Sequence, residues 1–277
     1  MITKSNLKNM LISAGFSDTS NDKYEKYYPL SDCSIVVDFR KEKIIYPENK
    51  GFKVNIATTT NFSEPENFVV LECVNKLLGK GYRPENIELE RTWTLGHKQK
   101  GGRADICVFI VECKTYGSEY NKEMKNILSD GGQLISYWQQ DRGCRWLVLY
   151  ASNINGNDEI EYTTDSINCS DDENILNLAK KDPTILLYKN AHTVPELYKV
   201  WKETYEQRFS GNIIFSKDSV AYDIGVKPLR KKDLKDFSGN DKIVNRFEEI
   251  LRHNNVSDKE NAFNRLIALF ICKLVDE

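Results

Sequence analysis

Between Ala104 and Lys114 the chain reads ADICVFIVECK, a strand-forming run with Asp105 near its start and Glu112 and Lys114 at its end. Charged side chains are costly to bury in such a run unless they are paired or bound to a metal. In E-x-K on a strand, Glu112 and Lys114 point to the same side, because the side-chain period is two. As one continuous strand the run would set Asp105 and Glu112 ~23 Å apart and on opposite faces. A reversal between them instead brings the two carboxylates opposite each other, with Cβ atoms ~5 Å apart. The intervening ICVFIV holds no Gly, Pro, Asn or Asp, so a hairpin centred on Val108-Phe109 goes against turn chemistry. The expectation is a missing or shortened loop, with an unusual turn or a degenerate site as alternatives.

Composition removes several classes. With 277 residues, 40% hydrophobic and 29% charged, the chain can bury a core and stay in solution. The 39 basic and 41 acidic residues give a formal charge of -2, so no global field draws it to nucleic acid or membrane. No apolar run approaches the ~18–20 residues of a membrane span, and MITKSNLKNML lacks the architecture of a signal peptide. Seven cysteines without a CxxC pair read as reduced thiols of a cytoplasmic protein, with neither disulfide framework nor zinc site. His97, His192 and His253 are far apart, which argues against a His-rich metal site.

Patterning divides the chain. Residues 1–60 read as a small α+β module: Leu7, Met10, Leu11 and Ala14 share a helix face, Gly15 stops it, and SIVVDF and KIIYP suggest a hairpin. Residues 61–220 read as one larger domain. Its clearest helix spans 63–80, with Ser63 and Glu66 as a capping box and Val70, Leu71, Val74, Leu77 and Leu78 as the buried face. A half-buried strand around Ile87–Leu95, the ADICVFIVECK run, a helix over 131–140 and the strand RWLVLYAS complete an α-β-β-β-α-β order. Residues 151–179, with seven acids and no Lys or Arg, read as loop-rich and exposed, and PELYKVWKETYEQRF as a helix. Residues 221–240 form a basic linker. Residues 241–277 read as two helices, the second opened by Ser257 and Glu260, whose broad apolar face wants a partner and suggests a longer parent chain.

There is no G-x-x-x-x-G-K-[ST], no G-x-G-x-x-G after a strand and no G-x-S-x-G elbow, so no local signature marks an ATP motor, a dinucleotide site or a serine hydrolase. Asp105 and Glu112, if brought together, make a hard-oxygen site suited to Mg²⁺, with the Cys113 carbonyl as a third protein ligand. Lys114 beside them would orient or help deprotonate a metal-bound water. An isolated E-x-K is more often a solvated or salt-bridged face, but its neighbourhood shifts the balance. Residues 91–103 carry Arg91, Lys98, Lys100 and Arg103 with no acid, a phosphate-contacting edge. Gln133 and Tyr137 share one face of the next helix.

The order Glu72 in a helix, Asp105, Glu112-x-Lys114 and Gln133-x-x-x-Tyr137 resembles the PD-(D/E)XK nuclease superfamily. Within it, PENFVVLECVNKLLGKGYRPENIELERTW, GGRADI, VECKT and GGQLISYWQQ are similar to the nuclease domain of type I restriction subunits and of fused type IIG restriction–modification enzymes. FNRLIALFICKLVDE resembles the start of the helical domain before an adenine-N6 methyltransferase in the fused enzymes. The resemblance implies a restriction-endonuclease-like α/β (α+β) core, a mixed central sheet flanked by helices, with a C-terminal helical segment. It implies Asp105 and Glu112 as metal ligands with the Cys113 carbonyl, and Lys114 positioning the water. Gln133 and Tyr137 would lie near the metal or the DNA backbone, and Glu72 would touch the metal directly or through a ligand. A Glu72–Lys76 ion pair is the plain alternative for Glu72, and core packing for Tyr137.

The function expected is Mg²⁺-dependent hydrolysis of double-stranded DNA, with Mn²⁺ as a substitute ion. Target recognition and the S-adenosylmethionine site would lie in methyltransferase and recognition domains of the same longer chain or complex. A repair or resolvase-type nuclease of the superfamily, and a catalytically inactive DNA-binding or scaffold module, stand as the alternatives.

Overall fold

The computed structural model describes residues 1–95, 99–107, 109–217, 219 and 221, of which 93–95 and 99–107 are described as backbone. Leu7, Met10 and Leu11 close the inner face of α1 (Leu7–Ser13). Strands β1 (Ser17–Asp18), β2 (Lys23–Tyr28), β3 (Cys33–Asp38) and β4 (Lys43–Ile45) follow as an antiparallel sheet in that order. Next come β5 (Lys53–Val54), α2 (Pro65–Gly79), β6 (Glu88–Leu95), β7 (Gln99–Cys107), β8 (Ile110–Cys113), α3 (Ser118–Asp130), α4 (Gly132–Gln140), β9 (Trp146–Ile154), β10 (Ile160–Asn168), α5 (Glu173–Ala179) and α6 (Val194–Glu203). The second sheet runs β10-β9-β8-β7-β6-β5. Its β6-β7-β8 meander and β9-β10 pair are antiparallel, whereas β8-β9 and β5-β6 are parallel, so the sheet is mixed and the class is α+β.

Helix α2 joins the two sheets. The expected apolar face is buried, but so are Asn67, Phe68, Val69, Glu72, Cys73 and Asn75, so the helix is enclosed on nearly all sides. Lys26 and Tyr28 of β2 both donate to Asn75 Oδ1, at 2.7 and 2.9 Å. The same core takes in Ile2, Ile35, Val37 and Phe52 from the N-terminal part and Val111, Cys113 and Val148 from the larger sheet. Each such aliphatic side chain contributes roughly 1.5–3 kcal/mol when fully buried. The boundary expected at residue 60 therefore does not divide the core: Met1–Ile224 is one compact unit. Gly225–Glu277 is a second unit outside the described residues, as are nearly all of the basic linker and both C-terminal helices read from the sequence.

Other expectations are corrected locally. Helix α2 begins at Pro65, whose fixed φ suits the first turn, with Glu64 as N-cap and no side-chain cap, so Ser63 and Glu66 form no capping box. Residues 151–179 are not loop: they complete β9, the whole of β10 and α5. β10 is an edge strand with Thr164, Ser166 and Ile167 turned in and Glu161 out, which hides it from a hydrophobic reading. Helix α3 was also unread, because it is polar with only Tyr120, Glu123 and Ile127 buried. Among the described residues no helix is long and apolar enough to cross a membrane.

The ADICVFIVECK run is not one strand but two, joined by a very short connection of the unusual kind that turn chemistry disfavours. Cys107 pairs with Ile110, so β7 and β8 are joined through residues 108–109 alone. Phe109 is buried and packs edge-on against Tyr82, with ring centroids 5.8 Å apart. Phe109 of this reversal thus lies inside the protein, where its side-chain packing outweighs the usual preference for Gly or Asn.

Candidate active site on strands β7 and β8

β8 lies between β7 and β9, and all four of its residues are buried. Val111 and Cys113 join the core shared with α2, while Ile110 joins a second core with Leu134, Tyr137 and Trp138 of α4. Glu112 alternates onto the side of Ile110 and its side chain is only 3% exposed. A carboxylate this buried requires a compensating partner. Lys114, two residues on, supplies it: the ammonium donates to Glu112 Oε1 and stands 3.6 Å from Glu66 Oε1 at the start of α2. Lys114 N donates to Tyr150 O at 2.9 Å, which fixes the backbone from which that side chain extends.

The pairing Ile106↔Val111 and Cys107↔Ile110, continued by one residue, sets Asp105 across from Glu112. On the other side, Leu89↔Ile106 and Arg91↔Ala104 set Asp105 across from Glu90. The Asp105 side chain is not among those described. Glu90 is buried, adopts φ 55° within its strand, and accepts a 2.8 Å hydrogen bond from Thr58 Oγ1. A left-handed glutamate in a strand is strained, and such residues concentrate at functional sites. Sequence reading missed Glu90 because alternation assigned it to a solvated face. It missed Glu66 because the capping-box pattern offered another use for it.

Glu72 is not brought to this cluster. It accepts from Tyr150 Oη and pairs with Lys76 at 3.1 Å, and Lys76 also lies over the Tyr162 ring at 4.1 Å. Burial and the Glu72 charge push the Tyr150 hydroxyl well above its usual range, so Tyr150 stays a donor. The Glu72–Lys76 pair expected as the plain alternative is therefore present, though inside rather than on the surface.

Gln133 and Tyr137 do meet: Gln133 Nε2 donates to Tyr137 Oη at 2.8 Å. Tyr137 is largely buried in the α4 core and also borders the open groove beside Gln133. Gln133 N donates to Glu123 Oε1 at 2.9 Å, and Asn126 Nδ2 to Glu123 Oε2 at 3.1 Å, so the buried Glu123 closes the start of α4. Gly132 makes this approach possible: its φ is 54°, and a Cβ there would stand 2.6 Å from Glu123 Oε1.

Beside these residues runs an open groove of about 820 Å³, lined by Glu123, Asp130, Gln133, Tyr137, Pro195 and Tyr198 among others. Neither Glu112 nor Lys114 lines it, and it carries two carboxylates with no Lys or Arg, the wrong sign for a phosphate backbone. The groove is thus separate from the Glu112–Lys114 pair. Of the expected basic edge, Arg91 pairs with Asp141 at 3.1 Å. Lys98, and the side chains of Lys100 and Arg103, lie outside the described residues, although the backbones of Lys100 and Arg103 pair with Thr94 and Thr92.

No three His, Cys, Asp or Glu side chains among those described gather to hold a metal ion. The donors that the register brings together are nevertheless hard oxygens: the Glu112 carboxylate, the Cys113 carbonyl and Asp105 on the adjoining strand. Compared with protein-family models, curated proteins and solved structures, the chain matches none.

Proposed function

We propose that this chain is a restriction-endonuclease-like module that hydrolyses double-stranded DNA with Mg²⁺, Mn²⁺ substituting, as the cleavage part of a restriction–modification enzyme. The observation that carries this reading is the two-residue reversal between β7 and β8, which sets Asp105 across from Glu112 while the Lys114 ammonium rests on the Glu112 carboxylate. The element order supports it: α2, the β6-β7-β8 meander, α4 and then β9 parallel to β8 follow the α-β-β-β-α-β order of the superfamily that the sequence resembles.

Asp105, Glu112 and the Cys113 carbonyl would hold the cation, which when bound would neutralise phosphate charge and make its water more acidic. Lys114 would hold Glu112 aligned, and its ammonium would orient a water at the scissile phosphate. Glu66 gives that ammonium a second acceptor and limits where it can swing. Gln133 would face the site with its orientation set by Tyr137. Methylation from S-adenosylmethionine and target recognition would belong to other domains of the same longer chain or complex.

The test is cleavage of supercoiled plasmid with Mg²⁺ or Mn²⁺, comparing wild type with Asp105→Ala and Glu112→Ala. Nicking by wild type that both variants lose is the expected result. Absence of cutting, both alone and when joined to the methyltransferase and recognition domains, would replace this reading with an inactive DNA-binding or scaffold module.

A further inference from the structure

We propose that the groove bordered by α3, α4 and α6 is a docking site for a basic peptide segment of a partner protein, with an arginine of that segment seated on its carboxylates. The groove is lined by Glu123, Asn126 and Asp130 of α3, Gln133 of α4, and Pro195 and Tyr198 at the start of α6, among others. At about 820 Å³ it is of recognition-pocket size, and it is open to the surface, which suits a chain segment better than an enclosed small ligand.

Charge selects the occupant. Among the described residues, the donors to Glu123 are Gln133 N and Asn126 Nδ2, and the donor to Asp130 is Gly132 N, all of them neutral. No Lys or Arg lines the groove. α3 ends at Asp130 with no basic residue in its last turn, and α4 begins at Gly132. The negative end of one helix dipole and the positive end of the other meet there and, at about half a charge each, nearly cancel. Two carboxylate charges therefore remain in a concave wall, where the low-dielectric surroundings focus their field. Each carboxylate oxygen can take a further donor beside the one it holds. The same charges repel a phosphate backbone, so the occupant is a cationic peptide and not nucleic acid.

The α6 side favours arginine over lysine. Tyr198 Oη donates to Leu128 O at 2.6 Å and accepts from Gln207 Nε2 at 3.0 Å, so the ring beside Pro195 is held in place before anything binds. Lys202 approaches that ring at 5.9 Å but pairs with neither carboxylate. A guanidinium is planar: it stacks on an aromatic face and meets a carboxylate with two parallel N–H donors, which an ammonium does not. Arginine therefore uses the tyrosine and the carboxylates at once. Glu123 is already fixed by its two donors, so seating the arginine orders little on this side of the contact.

The test is fluorescence anisotropy of the full chain with a fluorescein-labelled Gly-Ser peptide bearing arginines, beside the same peptide with citrulline, a neutral isostere, in their place. Saturable binding of the arginine peptide, weakened about tenfold or more by citrulline, is the expected result. Bound peptide should slow hydrogen exchange within residues 123–137 and 194–198. Glu123→Gln should weaken binding about tenfold and the exposed Asp130→Asn about threefold. Glu173→Gln, on the exposed α5, should leave it unchanged. Thermal unfolding checks that Glu123→Gln is folded, and Asp130→Asn carries the test if it is not. Equal binding of the two peptides, or binding indifferent to the Glu123 and Asp130 variants, overturns the proposal. Spermine bound as tightly as the arginine peptide also overturns it, in favour of a polyamine site. Neither Glu112 nor Lys114 lines the groove, so the result stands apart from DNA cleavage.

Discussion

Phe109 and Tyr82 pack edge to face at 5.8 Å, and this contact anchors the reversal between β7 and β8. A turn with a buried aromatic residue gains from packing what it forgoes in backbone preference. Replacing Val108-Phe109 with Asn-Gly should therefore destabilise the protein, although Asn-Gly suits a two-residue hairpin far better. The expected loss is roughly 3 kcal/mol, the cost of emptying an aromatic site, read as a lower urea midpoint.

Lys114→Met should cost roughly 3 kcal/mol, because it leaves the Glu112 carboxylate buried without its nearest cation. Pairing it with Glu112→Gln should restore most of that stability. Neither variant should cut DNA, so equilibrium unfolding beside the plasmid assay separates folding from chemistry.

Glu66 and Glu72 should part company. Glu66 is partly exposed and touches Lys114, so Glu66→Gln should slow cleavage while changing stability by less than about 1 kcal/mol. Glu72 is enclosed by Tyr150 and Lys76, so Tyr150→Phe, which removes a donor to a buried carboxylate, should cost about 2 kcal/mol with metal-dependent cleavage retained. Equal losses of activity in both would return Glu72 to the site.

Gly132→Ala should cost about 2 kcal/mol, since it adds a Cβ against Glu123 at a φ that alanine avoids. Thermal unfolding would check this. Gly143→Ala, with ordinary clearance, is the control.

Asp38 should make stability depend on acid. Its carboxyl is held below the usual carboxylate range, first by the Lys41 N–H at 3.0 Å and also by Lys23. A lowered folded value means the contribution is complete above the unfolded value of about 3.9 and is lost as pH falls through the folded one. Asp38→Asn should therefore be less stable than wild type at neutral pH, with the gap closing in acid. Urea titrations at pH 7 and at about pH 3 measure it.

Much of this protein was determined locally. The spacing of Val70, Leu71, Val74, Leu77 and Leu78 fixed α2, and the short apolar runs fixed β3, β4, β8 and β9, because period and turn residues act over a few positions. E-x-K likewise committed Glu112 and Lys114 to one side of β8. What neighbours across space supply was not local. The turn at 108–109 depends on Tyr82, the strand β10 on its pairing with β9, and the joining of residues 1–60 to the larger sheet on α2 being buried from both sides. Which helix carboxylate reaches Lys114 was decided by where Pro65 starts α2, and Glu66, not Glu72, is the one that arrives. Periodicity assigns a residue to a face, but only packing decides what that face meets.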